Sequence, residues 1–328
     1  MKRMSSKFVR PVAASQIPEL ENEFCAAAMA QAHPKVLQWC GAALEANLRK
    51  GSASSVASVV DEDQAEQFAK AMHVLGLPSE CFKSQLIDSD GARLIAAINF
   101  RDVSGATPYI RILRSTVPPG AISDWSALKP CLAEAFGEFK PEAVIFSHPA
   151  HLPLRAPTTR IEDHLLAAPA GDIANGPRVA GFDRVALRPS DNVEFYPRYK
   201  SMYENLYLER PALRGEVRTE SKDDLADCLA HGFLFEIFVD GQWSGVLAAD
   251  RRNVGGVQGV YMIEIVLEQG ARGQRLGPAV HQHLAATVAK VDPTEIILGT
   301  ISAKNPWSRQ TALRAGRIEI GAWHWVQL

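Results

Sequence analysis

The chain has 328 residues, 47% of them hydrophobic and 22% charged, with a formal net charge of −2. That composition excludes a disordered protein, and the near-neutral balance exerts no electrostatic pull toward nucleic acid or an anionic membrane. The length suits two compact domains, and the five cysteines (Cys25, Cys40, Cys81, Cys131, Cys228) have no paired spacing and read as thiols in a reducing compartment.

The stretch from Met1 to Phe8 is basic but no apolar run follows it, so it does not read as a secretory signal. No window reaches the length of a membrane helix, and a cytoplasmic location is expected. A short strand is expected around Phe8 to Ala13. Helical periodicity follows from Gln16 to Gln31, from Pro34 to Arg49, and from Asp61 to Leu75, the last opening on an acidic turn that suits the helix dipole. After Gly76-Leu77-Pro78, strands are expected at Arg93 to Phe100 and Tyr109 to Ser115. A helix at Asp124 to Phe139 and a strand at Ala143 to Ser147 complete the first half. Residues 1–152 thus form an α/β domain. Residues 153–182, rich in Pro, Ala and Gly, read as a connection with a short helix at Ile161 to Ala167.

The second domain, residues 183–328, starts with a strand at Arg184 to Leu187. Helices follow at Tyr196 to Leu208, with an aromatic stripe, and at Ser221 to Ala230, with Ser221 as N-cap. Leu234 to Val239 and Ser244 to Ala249 form a hairpin about Asp240-Gly241. A buried strand at Val260 to Leu267 then ends in a glycine- and arginine-rich loop that leads into a helix at Pro278 to Lys290. Another strand, Ile296 to Ile301, precedes Asn305-Pro306, a helix from Pro306 to Arg314, and Gly316 as the residue that stops it. Trp323-His324-Trp325 alternates as a strand does.

A strand, an anion-ready loop and a helix N-terminus in succession suit a pyrophosphate. Exposed N–H groups converge on the anion, glycine permits close approach, and Arg272 and Arg275 can add charge-assisted bonds. The competing reading makes Gly273 and Gly277 turn residues and leaves the arginines solvated. Glu264 is the only charged residue between Val260 and Leu267. Flanked by apolar neighbours, its carboxyl is expected to have a raised pKa, which suits a general base. Alternatively it faces solvent or pairs with an arginine such as Arg251.

Arg272-Gly273-Gln274-Arg275-Leu276-Gly277, followed about thirty residues later by Asn305, Ser308 and Gly316, resembles the signature of the GCN5-related N-acetyltransferase (GNAT) superfamily. The resemblance covers roughly Asp183 to Leu328. It implies a mixed, mostly antiparallel sheet flanked by helices in the order β-α-α-β-β-β-α-β-α-β. It implies acetyl-CoA as acyl donor, with main-chain groups of Ile265, Val266 and Leu267 along the pantetheine and residues 272–277 at the pyrophosphate. It also places Asn305 and Ser308 near CoA and Glu264 as base. The first half echoes the same order without the phosphate loop, where Pro118 and Pro119 remove N–H donors, and is expected to be a degenerate GNAT-like domain in a tandem arrangement.

Three positions depart from the family pattern. Arg275 stands where glycine is usual, Ala312 where a tyrosine often protonates the leaving thiolate, and Arg317 where an aromatic is usual. Water, Tyr261 or a first-domain residue could supply the proton, or the thiolate could leave unassisted. The expected activity is acyl-CoA-dependent N-acylation of a small-molecule amine by direct attack, with the oligomeric state left open. The alternative is a non-catalytic acyl-CoA-binding or regulatory protein. His148, His151, His164, His281 and His283 lack metal-ligand spacing, and no metal is expected.

Overall fold

The computed structural model describes residues 12–328 other than 73–74, 90, 102–106, 124 and 157–159, so most of the strand expected at Phe8 to Ala13 lies outside the described residues. The chain divides into two compact units: Met1–Ile161 with Gly321–Leu328, and Glu162–Ile320.

In the first unit, helices α1 (Ile17–Gln31), α2 (Pro34–Cys40), α3 (Ala42–Val60) and α4 (Glu62–Ala71) precede strands β1 (Gln85–Ser89), β2 (Ala92–Phe100) and β3 (Pro108–Ser115). Helix α5 (Trp125–Phe136) crosses to β4 (Ala143–Pro149). The single helix expected from Pro34 to Arg49 is broken at Gly41, whose φ of +50° belongs to no helix. It then runs on to Val60 through the weak formers Gly51, Ser52, Ser54 and Ser55. Tertiary packing overrides their propensity: Val56 is fully buried and the Ser55 hydroxyl donates to the Gly51 carbonyl at 2.9 Å. Asp61 caps α4 by accepting from the Gln64 N–H at 2.9 Å.

In the second unit, β5 (Arg160–Pro169) and α6 (Ala170–Ala174) precede β6 (Val185–Pro189), α7 (Tyr196–Glu209) and α8 (Lys222–Ala230). Strands β7 (Leu234–Val239), β8 (Gln242–Val254) and β9 (Val257–Leu267) follow, then α9 (Gly277–Ala289), β10 (Ile296–Ser302), α10 (Pro306–Arg314) and β11 (Ile318–Gln327). From β6 onward this is the element order the resemblance implies. The hairpin turn has Asp240 at φ +50° and Gly241 at φ +81°, the double left-handed conformation that matches strand twist. Ser221 and Asp224 close a capping box on α8.

Residues 160–174, expected as connection with a short helix, are instead a strand and a helical turn. β5 pairs antiparallel with β10 from Asp163↔Ser302 to Pro169↔Ile296. Leu165 to Ala168 are buried there, and a short apolar run of this kind takes whichever form its neighbours offer. The C-terminal strand holds the second difference. β11 begins in the second unit, but its residues from Gly321 on belong to the first, where they pair antiparallel with β4 from Gly321↔Pro149 to Gln327↔Ala143.

Each unit therefore holds a sheet of the same pattern. The first runs β1-β2-β3-β4-β11 and the second β6-β7-β8-β9-β10-β5. In both, antiparallel strands lead to one parallel pair (β3 with β4, β9 with β10) and then to an antiparallel last strand. In the second unit, α6 and α9 cover one sheet face around Val260, Met262 and Ile297. Helices α7 and α8 cover the other around Val246, Ala248 and Val266. No helix among the described residues is long and apolar enough to cross a membrane.

Candidate active site

Two irregularities in β9 build the site. The first is a bulge. Ala248 pairs with Glu264 but Ala249 pairs with Met262, so Ile263 is an extra residue. In a regular strand Met262 and Glu264 would share a face. With the bulge, Met262 packs on the α9 side and Glu264 opposes Ala248 on the α7–α8 side. The second is a splay. β10 pairs with β9 only over Ile296↔Gly259, Ile297↔Val260 and Leu298↔Tyr261. Beyond Tyr261 the two strands part, and the β10-facing main chain of residues 262–267 has no strand neighbour. A cavity of about 750 Å³ opens there.

Glu264 is 5% exposed and lines this cavity. Its Oε2 accepts from the Tyr199 hydroxyl at 2.5 Å and the Tyr203 hydroxyl at 2.7 Å, both on α7. Tyr199 in turn accepts from the Glu220 N–H at 2.8 Å. Burial pushes the Glu264 carboxyl up to about 7, against the two tyrosine donors, which favour the charged form. Burial and the nearby carboxylate push both phenols up, so they remain neutral donors. The raised pKa matches the expectation from its apolar flanks. Arg251 does not pair with it but with Glu295, at 3.1 Å. Glu268 is engaged elsewhere, accepting from Arg198 at 2.6 Å.

The loop after β9 has Gly273 at φ +75° and Arg275 at φ +60°. Arg275 is followed by Leu276 in the right-handed region, at φ −81° and ψ −21°, an alternation that turns successive N–H groups toward one point. Among the described residues, the backbone N–H groups of Gly273, Gln274, Arg275, Leu276 and Gly277 donate no hydrogen bond. A Cβ on Gly277 would come within 2.6 Å of Thr311 Cγ2, so glycine there lets α9 and α10 close on each other. The two arginines differ. Arg275 lines the cavity with no hydrogen-bond or ion-pair partner among the described residues. Arg272 is a tether: its Nε donates to the Leu267 carbonyl at 2.7 Å, Nη2 to the Met202 carbonyl at 2.9 Å, and Nη1 to Glu209 at 3.0 Å.

Asn305 caps α10, its side chain accepting from the Ser308 N–H at 3.2 Å. The helix stops in a Schellman motif, with Gly316 at φ +99° donating to Leu313 and Arg317 donating to Ala312. Ala312 is fully buried. Across the opening of the splay the Tyr261 hydroxyl of β9 and the Thr300 hydroxyl of β10 are hydrogen-bonded. Among the described residues no group of three or more His, Cys, Asp or Glu side chains stands ready to hold a metal ion.

The cavity wall thus gathers Glu264, Ile265, Val266, Leu267, Arg272, Gly273, Arg275, Leu276, Gly277, Asn305 and Ser308. Gln274 stays outside it, its side chain bonded to Gly270 and Arg184 at 2.6 and 2.9 Å. Three features of the cavity are not evident from local sequence: Tyr199 and Tyr203 as partners of Glu264, and the burial of Arg317. The spacing of the tyrosines on one helix was a signal, but it reads equally as core packing.

No family model matches the chain, and no curated protein matches it. Among solved structures it is similar to a GNAT-family acetyltransferase from Colwellia psychrerythraea, at 10% identity and TM-score 0.45, over 82% of this chain and 97% of that one. It is similar to a tandem GNAT protein from the clavulanic acid biosynthesis pathway, at 13% identity and TM-score 0.43, over 82% and 96%. A GCN5-related N-acetyltransferase from Kribbella flavida gives 12% identity and TM-score 0.40, over 80% and 95%.

Proposed function

We propose that the second unit is an acyl-CoA-dependent N-acyltransferase, with acetyl-CoA as the simplest donor and a small-molecule amine as acceptor. The observation that carries this reading is the joining of a splayed strand pair, a cradle of unpaired N–H groups and a buried carboxyl of raised pKa in one cavity. The N–H groups of residues 273–277, the α9 N-terminus and Arg275 would hold the diphosphate. Pantetheine would lie along residues 265–267 in the strand position that β10 vacates. A main-chain N–H of β9 would polarise the thioester carbonyl.

Glu264 takes a proton from the ammonium, directly or through water, and a carboxyl titrating near neutrality is matched to that task. The free amine attacks the carbonyl carbon, an N–C bond forms, the C–S bond breaks, and the thiolate leaves. With alanine at position 312, Tyr261, which lines the cavity and is hydrogen-bonded to Thr300, would protonate that thiolate. The second reading, acyl-CoA binding without turnover, is favoured by the burial of Ala312 where a phenol would serve.

Calorimetric titration with acetyl-CoA tests the assignment. Wild type is expected to bind in the micromolar range and Arg275→Ala to bind about ten- to a hundredfold more weakly, as befits one lost charge-assisted bond. No binding of acetyl-CoA, CoA or longer acyl-CoAs would end the reading. Binding without thiol release across an amine panel would select the non-catalytic alternative.

A further inference from the structure

Arg317 carries a charge into a place where no carboxylate among the described residues balances it. The residue is 2% exposed, yet it lines the cavity. Its Nη2 donates to the main-chain oxygens of Leu166 and Gly299, at 2.6 and 3.1 Å, and its Nη1 to the Met262 sulfur at 3.4 Å. The Nε has no partner, and no carboxylate among the described residues pairs with it. Burial lowers its pKa only to about 10, so it stays charged at neutral pH. A buried cation served by two carbonyls and a thioether lacks its natural counter-charge.

His281 on α9 stands beside it. It is 4% exposed, also lines the cavity, and has an unpartnered Nδ1. Burial and the neighbouring guanidinium hold it neutral, so it can offer an N–H without adding charge. The position of the pair is specific. Met262 and Gly299, which Arg317 touches, are the first residues beyond the last β9–β10 pair, Tyr261↔Leu298. The loop of residues 272–277 lies at the other end of the splay. A ligand anchored there by its diphosphate and laid back along β9 would carry its acyl end toward Arg317, which lines the same cavity.

We propose that Arg317, with His281, binds a carboxylate at the far end of the acyl group, so that the preferred donor is a dicarboxylic acyl-CoA of malonyl or succinyl type. The inference rests on the acyl-CoA reading given above. The transfer keeps the same balance: the thioester C–S bond breaks, the amide N–C bond forms, Glu264 takes the amine proton, and the distal carboxylate is carried over unchanged. An apolar acetyl group would leave the guanidinium with no anion.

The test compares malonyl-, succinyl- and acetyl-CoA by calorimetry, each read relative to free CoA on the same protein. Wild type is expected to bind a dicarboxylic acyl-CoA at least tenfold more tightly than acetyl-CoA, and Arg317→Met to lose that preference. Equal affinities in wild type would overturn the inference without any variant, while CoA binding would still uphold the acyl-CoA reading. A preference that survives Arg317→Met would also overturn it. So would the absence of acyl discrimination together with an Arg317-dependent gain in acetyl-CoA affinity on adding amino acids, which would move the carboxylate to the acceptor. Failure of CoA itself to bind would remove both the reading and the inference.

Discussion

The two units make one backbone device twice and fill it differently. In the first, Ala96 pairs with Ile112 and Ile95 with Arg114, leaving Leu113 as the extra residue, just as Ile263 is in the second. There β3 pairs with β4 only over Ile110↔Val144 and Arg111↔Ile145 before the strands part. Arg114 therefore occupies the position of Glu264. It is half-buried, its Nη1 bonded to the Leu113 carbonyl at 2.7 Å, and Gly51 of α3 leaves room for it, since a Cβ there would meet Nη2 at 2.3 Å. A guanidinium cannot accept a proton. Where the second unit has its cradle, the first has Pro118-Pro119-Gly120, and the space at Gly120 is filled: a Cβ would lie 2.5 Å from His148 Nδ1 and 2.7 Å from Leu154. A bulge and a splay thus come with the fold. Chemistry needs, in addition, free N–H groups, empty space and a carboxyl.

Removing the carboxyl is the largest way to break the contrast. Glu264→Gln is expected to slow amide formation at least about a hundredfold, while acyl-CoA affinity moves far less. Turnover and titration on the same preparation check this, and unchanged turnover would strip Glu264 of the base role.

The same residue sets a pH dependence of stability. A carboxyl that titrates at about 7 when folded, against 4.5 in the open chain, favours the folded state in its protonated form. That contribution is full below pH 4.5, fades as pH rises to 7, and is gone above. It amounts to about 3 kcal/mol. Glu264→Gln lacks this loss, so its stability relative to wild type should rise by about that amount between pH 4.5 and pH 8. Denaturant unfolding at both pH values measures it. A pH-independent difference would mean that the buried carboxyl does not titrate in this window.

The smallest effect sharpens the comparison from the other side. Gly120→Ala should destabilise the first unit by about 1–3 kcal/mol through the clash with His148 and Leu154, and leave CoA affinity untouched. A parallel loss of CoA affinity would show that the first unit takes part in binding.

What was legible in the sequence was local. The loop at 272–277, the Asn305 cap, the Gly316 stop, the Asp240-Gly241 hairpin and the Ser221 cap each depend on residues within a few positions, where turn and cap chemistry act. Contacts between distant segments were not legible. Tyr199 and Tyr203 lie 65 and 61 residues from Glu264, and nothing local distinguishes them from core aromatics. β5 sits in a proline- and alanine-rich setting and takes its identity from β10, and β1, five residues after a single turn, is too short to carry a period of its own. The bulge at Ile263 is equally hidden, since only the register with β8 reveals it. Arg272 shows the limit within a motif: the residue type was right for an anion, but its side chain is committed to Leu267, Met202 and Glu209.

The assignment of β5 to the second unit and of residues 321–327 to the first has a consequence during synthesis. As the nascent chain leaves the ribosome, β4 is exposed long before residue 321, and one of its edges waits unpaired while the whole second unit is made. The first unit therefore cannot finish folding in N-to-C order, and its closing step has a large sequence separation and a correspondingly slow expected rate. A protease cut or stop codon just before Gly321 would leave a bare edge on β4 open to self-association.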